Sequence, residues 1–126
     1  FCPSMLDTVA PQMIKVDHPA PFMTFTFEVA EEWKTRVPEV VHEDGTSRAQ
    51  VLKREYNPRY YDMMKALEVL TGNGVSLNTS LNRRGEPMVC SPTDALNMFF
   101  GSDLQYLIME DILVVKEGAP TYESLD

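Results

Sequence analysis

Two stretches of this chain carry the full signal for starting a helix, and a short apolar run lies between them. At Asn57-Pro58 a side chain able to accept from a free backbone N–H precedes a proline whose fixed φ suits the first helical position. Ser91-Pro92-Thr93-Asp94 repeats the arrangement and adds an acid in the first turn, where the helix dipole favours it. Tyr60, Met63, Met64, Leu67 and Leu70 then recur at helical spacing up to Gly72, and Ala95, Leu96, Met98 and Phe99 do so up to Gly101. Residues 75–79 read as a short buried strand. A chain that alternates in this way lays helices against a sheet, which makes the fold class α/β or α+β, an open sheet with packed helices.

Further strands are expected at residues 22–27, where Phe22-Met23-Thr24-Phe25-Thr26-Phe27 is aromatic and partly alternating, and at residues 49–54. Residues 107–115 read as one or two strands near an edge, because Glu110 and Asp111 break the apolar run. Residues 31–36 read as a short helix or turn closed by Pro38, residues 42–48 as a polar loop with an Asp-Gly turn, and residues 88–90 as a short extended piece. No repeat or linker divides the 126 residues, and 44% hydrophobic with 24% charged residues suits one sizeable core, so a single domain over 1–126 is expected.

Eleven Lys and Arg against 19 Asp and Glu leave a formal charge of −8, which argues against the broad positive face of a non-specific nucleic-acid binder. Any anionic ligand must be held by a local cluster. No apolar run approaches the roughly 20 residues of a membrane span, and residues 1–10 lack the basic and apolar regions of a signal peptide. Cys2 and Cys90, with no CxxC and no paired His set, suggest neither a disulfide framework nor a zinc site. These features lead to the expectation of a cytoplasmic protein whose partners are small molecules.

Two loops gather groups able to bind an anion. In Asp44-Gly45-Thr46-Ser47-Arg48, glycine permits close backbone approach, Thr46 and Ser47 offer hydroxyls, and Arg48 offers a bidentate fork. The same five residues read also, and more commonly for such a string, as an Asp-Gly turn between strands with Arg48 in solvent. The second loop, Asn78-Thr79-Ser80-Leu81-Asn82-Arg83-Arg84-Gly85-Glu86-Pro87, follows a strand, where open α/β sheets place ligands. It shows neither a Walker pattern nor GxGxxG, and its alternative is a polar turn in which Ser80 and Asn82 satisfy backbone groups.

The remaining candidates are plainer. His18 and His42 stand in separate polar segments and receive no role. Cys90 lies just before a helix N-terminus, which can lower a thiol pKa, although packing is the commoner use of such a cysteine. Met63 and Met64 are expected in the core, and the acidic residues 28–32 and 117–126 on the surface.

The strings His42-Glu43-Asp44-Gly45-Thr46-Ser47-Arg48-Ala49-Gln50-Val51, Asn57-Pro58-Arg59-Tyr60, Leu77-Asn78-Thr79-Ser80-Leu81-Asn82, Arg84-Gly85-Glu86-Pro87 and Cys90-Ser91-Pro92-Thr93-Asp94-Ala95 occur in an order that resembles the carbamoyltransferase C-terminal domain. That family covers nodulation-type carbamoyltransferases and antibiotic O-carbamoyltransferases. The likeness runs from Phe1 to about Val115, and Pro21-Phe22-Met23 sits where the family has Pro-Phe-Met. It implies a YrdC-like twisted α/β sheet that binds ATP, with Mg²⁺, and carbamoyl phosphate to form a carbamoyl-adenylate. The carbamoyl group then passes to a hydroxyl or amine in an N-terminal domain that holds a metal, iron by the same resemblance.

Thr79-Ser80-Leu81-Asn82 is similar to the Thr-Ser-Ala-Asn element of YrdC proteins, so the resemblance implies nucleotide and phosphate contacts for Ser80 and Asn82, with Asn78 and Thr79 beside them. It implies a phosphate contact for Arg48, with Thr46 in the same loop, and Arg84 adds charge, whereas Lys34 and Arg36 have no such role. Leu81 stands where these transferases usually have phenylalanine, a change of packing more than chemistry. The family's basic segment and its metal-binding domain would both precede Phe1. The chain is therefore expected to be an excised C-terminal piece, inactive alone, whose partner is its own N-terminal domain and which could pair as a homodimer. The competing readings are a catalytically inactive nucleotide- or anion-binding regulatory module and a threonylcarbamoyl-adenylate synthase, the latter disfavoured by the acidic balance.

Overall fold

The strand at the centre of the main sheet is Cys2–Leu6 (β1), and all of its residues are buried. The sequence reading assigns no strand here, and Pro3 counts against one, since proline cannot donate to a ladder. In the computed structural model, which describes residues 1–120, the cost is avoided by register. Leu6 N donates to Gly74 O and Asp7 N to Leu52 O, so by alternation the nitrogen of Pro3 faces the side of Gln50–Leu52 (β4). That ladder begins only at Ser4, paired with Gln50, so β4 asks Pro3 for no N–H. On its other side β1 runs antiparallel to Val75–Asn78 (β5), giving a mixed sheet in the order β4-β1-β5.

Contacts gather the chain into two compact units, Phe1–Thr79 and a second that begins at Ser80. In the first, Ala10–Met13 (α1), Glu31–Arg36 (α2) and Pro58–Thr71 (α3) accompany the sheet. Met5, Leu6, Val9, Met13, Trp33, Leu52 and Met64 form the core. The start signal of α3 acts as read: Asn57 Oδ1 accepts from Tyr60 N at 3.1 Å, and Gly72 ends the helix at φ 72°, a left-handed conformation suited to glycine. Arg36 lies over the Trp33 ring and donates to Gly72 O, covering a carbonyl that the end of α3 leaves open.

Three expectations in this unit are corrected. Residues 22–27 do not form a strand; only Phe27–Glu28 (β2) does, paired with Thr46–Ser47 (β3), while Phe22 and Phe25 are exposed. Met64 is fully buried but Met63, a third of a turn round the helix, is half-exposed, and Leu70 lies in solvent. Residues 75–79 give an edge strand of intermediate burial, ending at Asn78, rather than a buried one.

The second unit holds Pro92–Phe100 (α4) and a hairpin of Tyr106–Met109 (β6) and Ile112–Val115 (β7), turned at Glu110 with φ 53°. Ser91 Oγ accepts from Asp94 N at 3.1 Å, as its start signal requires, and Ala95, Phe99 and Leu107 form a small core. Tyr106, Ile108, Leu113 and Val115, which share one face of the hairpin by register, are exposed. Residues 88–90 join no strand, and Glu117 is exposed, while 121–126 of the acidic tail lie outside the described residues. Helices and strands are thus mixed through both units, as the α/β reading requires. Among the described residues no helix is long and apolar enough to cross a membrane.

Candidate functional site

The loop at residues 44–48 divides its side chains between structure and solvent. Asp44 Oδ1 accepts from both the backbone N and the hydroxyl of Thr46, closing an Asx turn around Gly45 at φ 79°. These bonds from Thr46, the hydroxyl first, hold the Asp44 carboxyl below its usual range. Ser47 is fully buried and donates to Val40 O at 2.7 Å, so its hydroxyl serves the fold and not a ligand, contrary to the sequence reading. Arg48 is exposed and donates to Met23 O at 3.3 Å.

A polar line running across the sheet fixes Asn78. Ser4, fully buried on β1, donates to Gln50 Oε1 at 2.8 Å, and Asn78 Nδ2 donates to Ser4 Oγ at 3.3 Å. Gln50 Nε2 in turn donates to Pro21 O at 3.1 Å. Asn78 Nδ2 also reaches Met23 Sδ at 3.9 Å, so Met23, itself at φ 54°, has Arg48 on its carbonyl and Asn78 at its sulfur. The structure therefore brings Arg48 and Asn78 together around the Pro-Phe-Met segment, while Thr46 is occupied in its own turn and Thr79 is exposed. Ser4 and Gln50 were not singled out by sequence reasoning; Gln50 stands inside a quoted family string, whereas nothing around Ser4 signals a role.

In the second unit Asn82 organises its loop. Its amide donates to Arg83 O and Glu86 O at 3.1 and 2.9 Å, and its carbonyl oxygen accepts from Ser80. Arg83 forms a two-point pair with Glu86, 3.0 Å through Nε and 2.8 Å through Nη2. Arg84, next to Gly85 at φ 83°, is exposed and forms no ion pair with any described residue. A cavity of about 470 Å³ is lined by Asn82, Arg83, Glu86, Cys90 and Asp94 among others, but it sets one cation against two carboxylates and is no match for a phosphate.

Cys90 also departs from expectation. The Asp94 carboxylate accepts from its thiol at 3.4 Å, and that bond, followed by the charge itself, pushes the thiol pKa up in spite of the helix terminus. Nor is Lys34 remote from the loops: its ammonium lies 3.0 Å from where a Cβ on Gly45 would stand, although it pairs with Glu31.

Comparison with known proteins places these features. The family model described as "Carbamoyltransferase C-terminus" matches residues 1–116. An uncharacterized protein of Synechocystis is 33% identical over 98% of this chain and 23% of its own length. Nodulation protein NolO of Bradyrhizobium diazoefficiens is 35% identical over 94% of the chain and 22% of its own length. Nodulation protein U of Rhizobium tropici is 35% identical over 66% of the chain and 14% of its own length. The chain thus spans less than a quarter of the length of these curated relatives. A match over nearly all its residues, in the order read from its loops, makes this chain a member of the carbamoyltransferase C-terminus family.

Proposed function

We propose that this chain is the nucleotide- and carbamoyl phosphate-binding part of a carbamoyltransferase, with ATP and carbamoyl phosphate as substrates of carbamoyl-adenylate formation. The observation that carries the reading is the state of two guanidiniums in an acidic chain. Lys15, Lys34, Arg54, Lys65 and Arg83 each pair with a carboxylate, whereas Arg36, Arg48, Lys53, Arg84 and Lys116 have no carboxylate partner among the described residues, and of these only Arg48 and Arg84 lie in the two loops that gather anion-binding groups. Cations left unneutralised among 19 acids retain their full charge for an anion.

In this reading Arg48 of the first unit meets phosphate oxygens, and Arg84 supplies charge in the loop of the second. Asn78, held by Ser4, and the Ser80–Asn82 pair spend their donors within their own units and so steady the segments that carry the arginines; charge held in place beforehand is the economical way to stabilise what accumulates during attack on the α-phosphorus. Carbamoyl phosphate first gives up inorganic phosphate to water, and an oxygen of the resulting carbamate forms the new P–O bond at the α-phosphorus as pyrophosphate leaves. Mg²⁺ enters with ATP, held mainly by its phosphates. Transfer to the acceptor belongs to the longer protein.

The test is titration of ATP and of carbamoyl phosphate into the full-length protein. Losing a charge-assisted contact costs about 1.5–3 kcal/mol, so Arg48→Ala and Arg84→Ala should each weaken ATP binding roughly 10- to 150-fold. Lys65→Ala, which removes an exposed pair with Glu68 on α3, should leave it unchanged. Parent-like affinity in both arginine variants would overturn the reading; tight ATP binding without carbamoyl transfer would favour a regulatory module instead.

A further inference from the structure

Beyond the phosphate reading, a second site is built where the two parallel strands end. β1 and β4 run side by side with Leu6 opposite Leu52, and the next residues are Asp7 and Lys53. Both line a cavity of about 240 Å³, together with Ala10, Val16, Ala20 and Val51 and with Tyr56 and His18. The carboxyl ends of parallel strands are where open α/β sheets bind ligands, because side chains leaving neighbouring strands converge there. Here a carboxylate and an ammonium leave adjacent strands into a cavity whose other walls are mostly apolar.

Each of the two charges remains available. Asp7 accepts one bond, from Tyr61 at 3.1 Å through Oδ1, which leaves Oδ2 for another donor. Lys53 forms no hydrogen bond or ion pair through its ammonium with any described residue, and it does not pair with Asp7. His18, which also lines the cavity, is bonded to Asp17 through Nδ1 and meets Phe25 edge-on, ring centroids 4.4 Å apart. The volume is below the roughly 300–1,000 Å³ of drug-sized sites, so the occupant is small. A negative and a positive group over an apolar pocket are the complement of a zwitterion with an apolar side chain.

We propose that this cavity is a binding site for a free α-amino acid with an apolar side chain, its ammonium on Asp7, its carboxylate on Lys53 and its side chain against Ala10, Val16, Ala20 and Val51. The site shares no residue with Arg48, Asn78, Ser80, Asn82 or Arg84, so it stands or falls independently of ATP binding.

Isothermal titration of the full-length protein with L-leucine, L-valine and L-phenylalanine tests it, with leucinamide and 4-methylpentanoate as probes lacking the carboxylate and the ammonium. At least one amino acid should bind with a Kd of about 1 mM or tighter. Leucinamide and 4-methylpentanoate should each bind at least tenfold more weakly than L-leucine. Lys53→Gln should remove the preference for leucine over leucinamide. Asp7→Asn, which keeps an acceptor for Tyr61, should remove the preference over 4-methylpentanoate. Circular dichroism and unchanged ATP affinity check that both variants are folded. Absence of saturable binding by all three amino acids, or binding that both variants leave unaltered, would overturn the proposal.

Discussion

At the scale of single residues, Cys90 and Asp94 show how a neighbour's charge outweighs a helix terminus. The thiol donates to a carboxylate that is itself kept below its usual range by its bonds with Ser91 and Cys90. A depressed carboxylate favours the folded state above its ordinary pKa, and that contribution is lost as pH falls through the depressed value. For the thiol the consequence is reactivity: with Asp94 ionised the thiolate is disfavoured and forms only at higher pH. Asp94→Asn should therefore move the pH–rate profile for iodoacetamide alkylation of Cys90 to lower pH and speed the reaction near pH 8.5, the ordinary thiol value of about that figure. Peptide mass mapping separates Cys90 from Cys2, which is buried. Coincident profiles for parent and variant would refute the electrostatic account. Such detail was beyond the sequence: Ser91-Pro92-Thr93-Asp94 announced a helix, but which acid oxygen faces the thiol depends on the rotamer packed in the folded chain.

At the scale of elements, what could be read was what depends on neighbours in sequence. Asn57 and Ser91 cap their helices through bonds to residues three positions on, so their signals were complete in the string itself. Asn57→Ala and Ser91→Ala should each cost about 1 kcal/mol, read as a lower urea midpoint with little change in slope. No change in either midpoint would show that the caps are redundant. What could not be read depends on distant partners. β1 is a strand because residues 50–52 and 75–78 flank it, and nothing within Cys-Pro-Ser-Met-Leu reports them. The aromatic alternation of residues 22–27 looked like a strand, yet its strand-like portion is only Phe27–Glu28, because only those residues find an edge, on Thr46–Ser47. The site divides the same way: Arg48 and Asn82 were recognisable in their motifs, whereas the Ser4 and Gln50 that steady Asn78 come from two other strands.

At the scale of the whole molecule, the sheet has an arrangement in time as well as in space. Its middle strand, residues 2–6, precedes both of its neighbours in sequence, the parallel one beginning at residue 50 and the antiparallel one at residue 75. Loop closure over such separations must be met before the contacts return anything, which makes this sheet a late event in folding, whereas α3 can form from local bonds. During translation this apolar strand emerges before either of these two neighbours, open to wrong pairings or to a chaperone. Pulse-labelled hydrogen exchange during refolding should show amides of residues 4–6 and 75–78 gaining protection in one slow step, after those of α3. Protection of residues 4–6 ahead of β5 would contradict this order. Placing the first of the three strands in the middle ties completion of the sheet to the last of them, so a chain interrupted before residue 78 holds the centre of its sheet but not both of its sides.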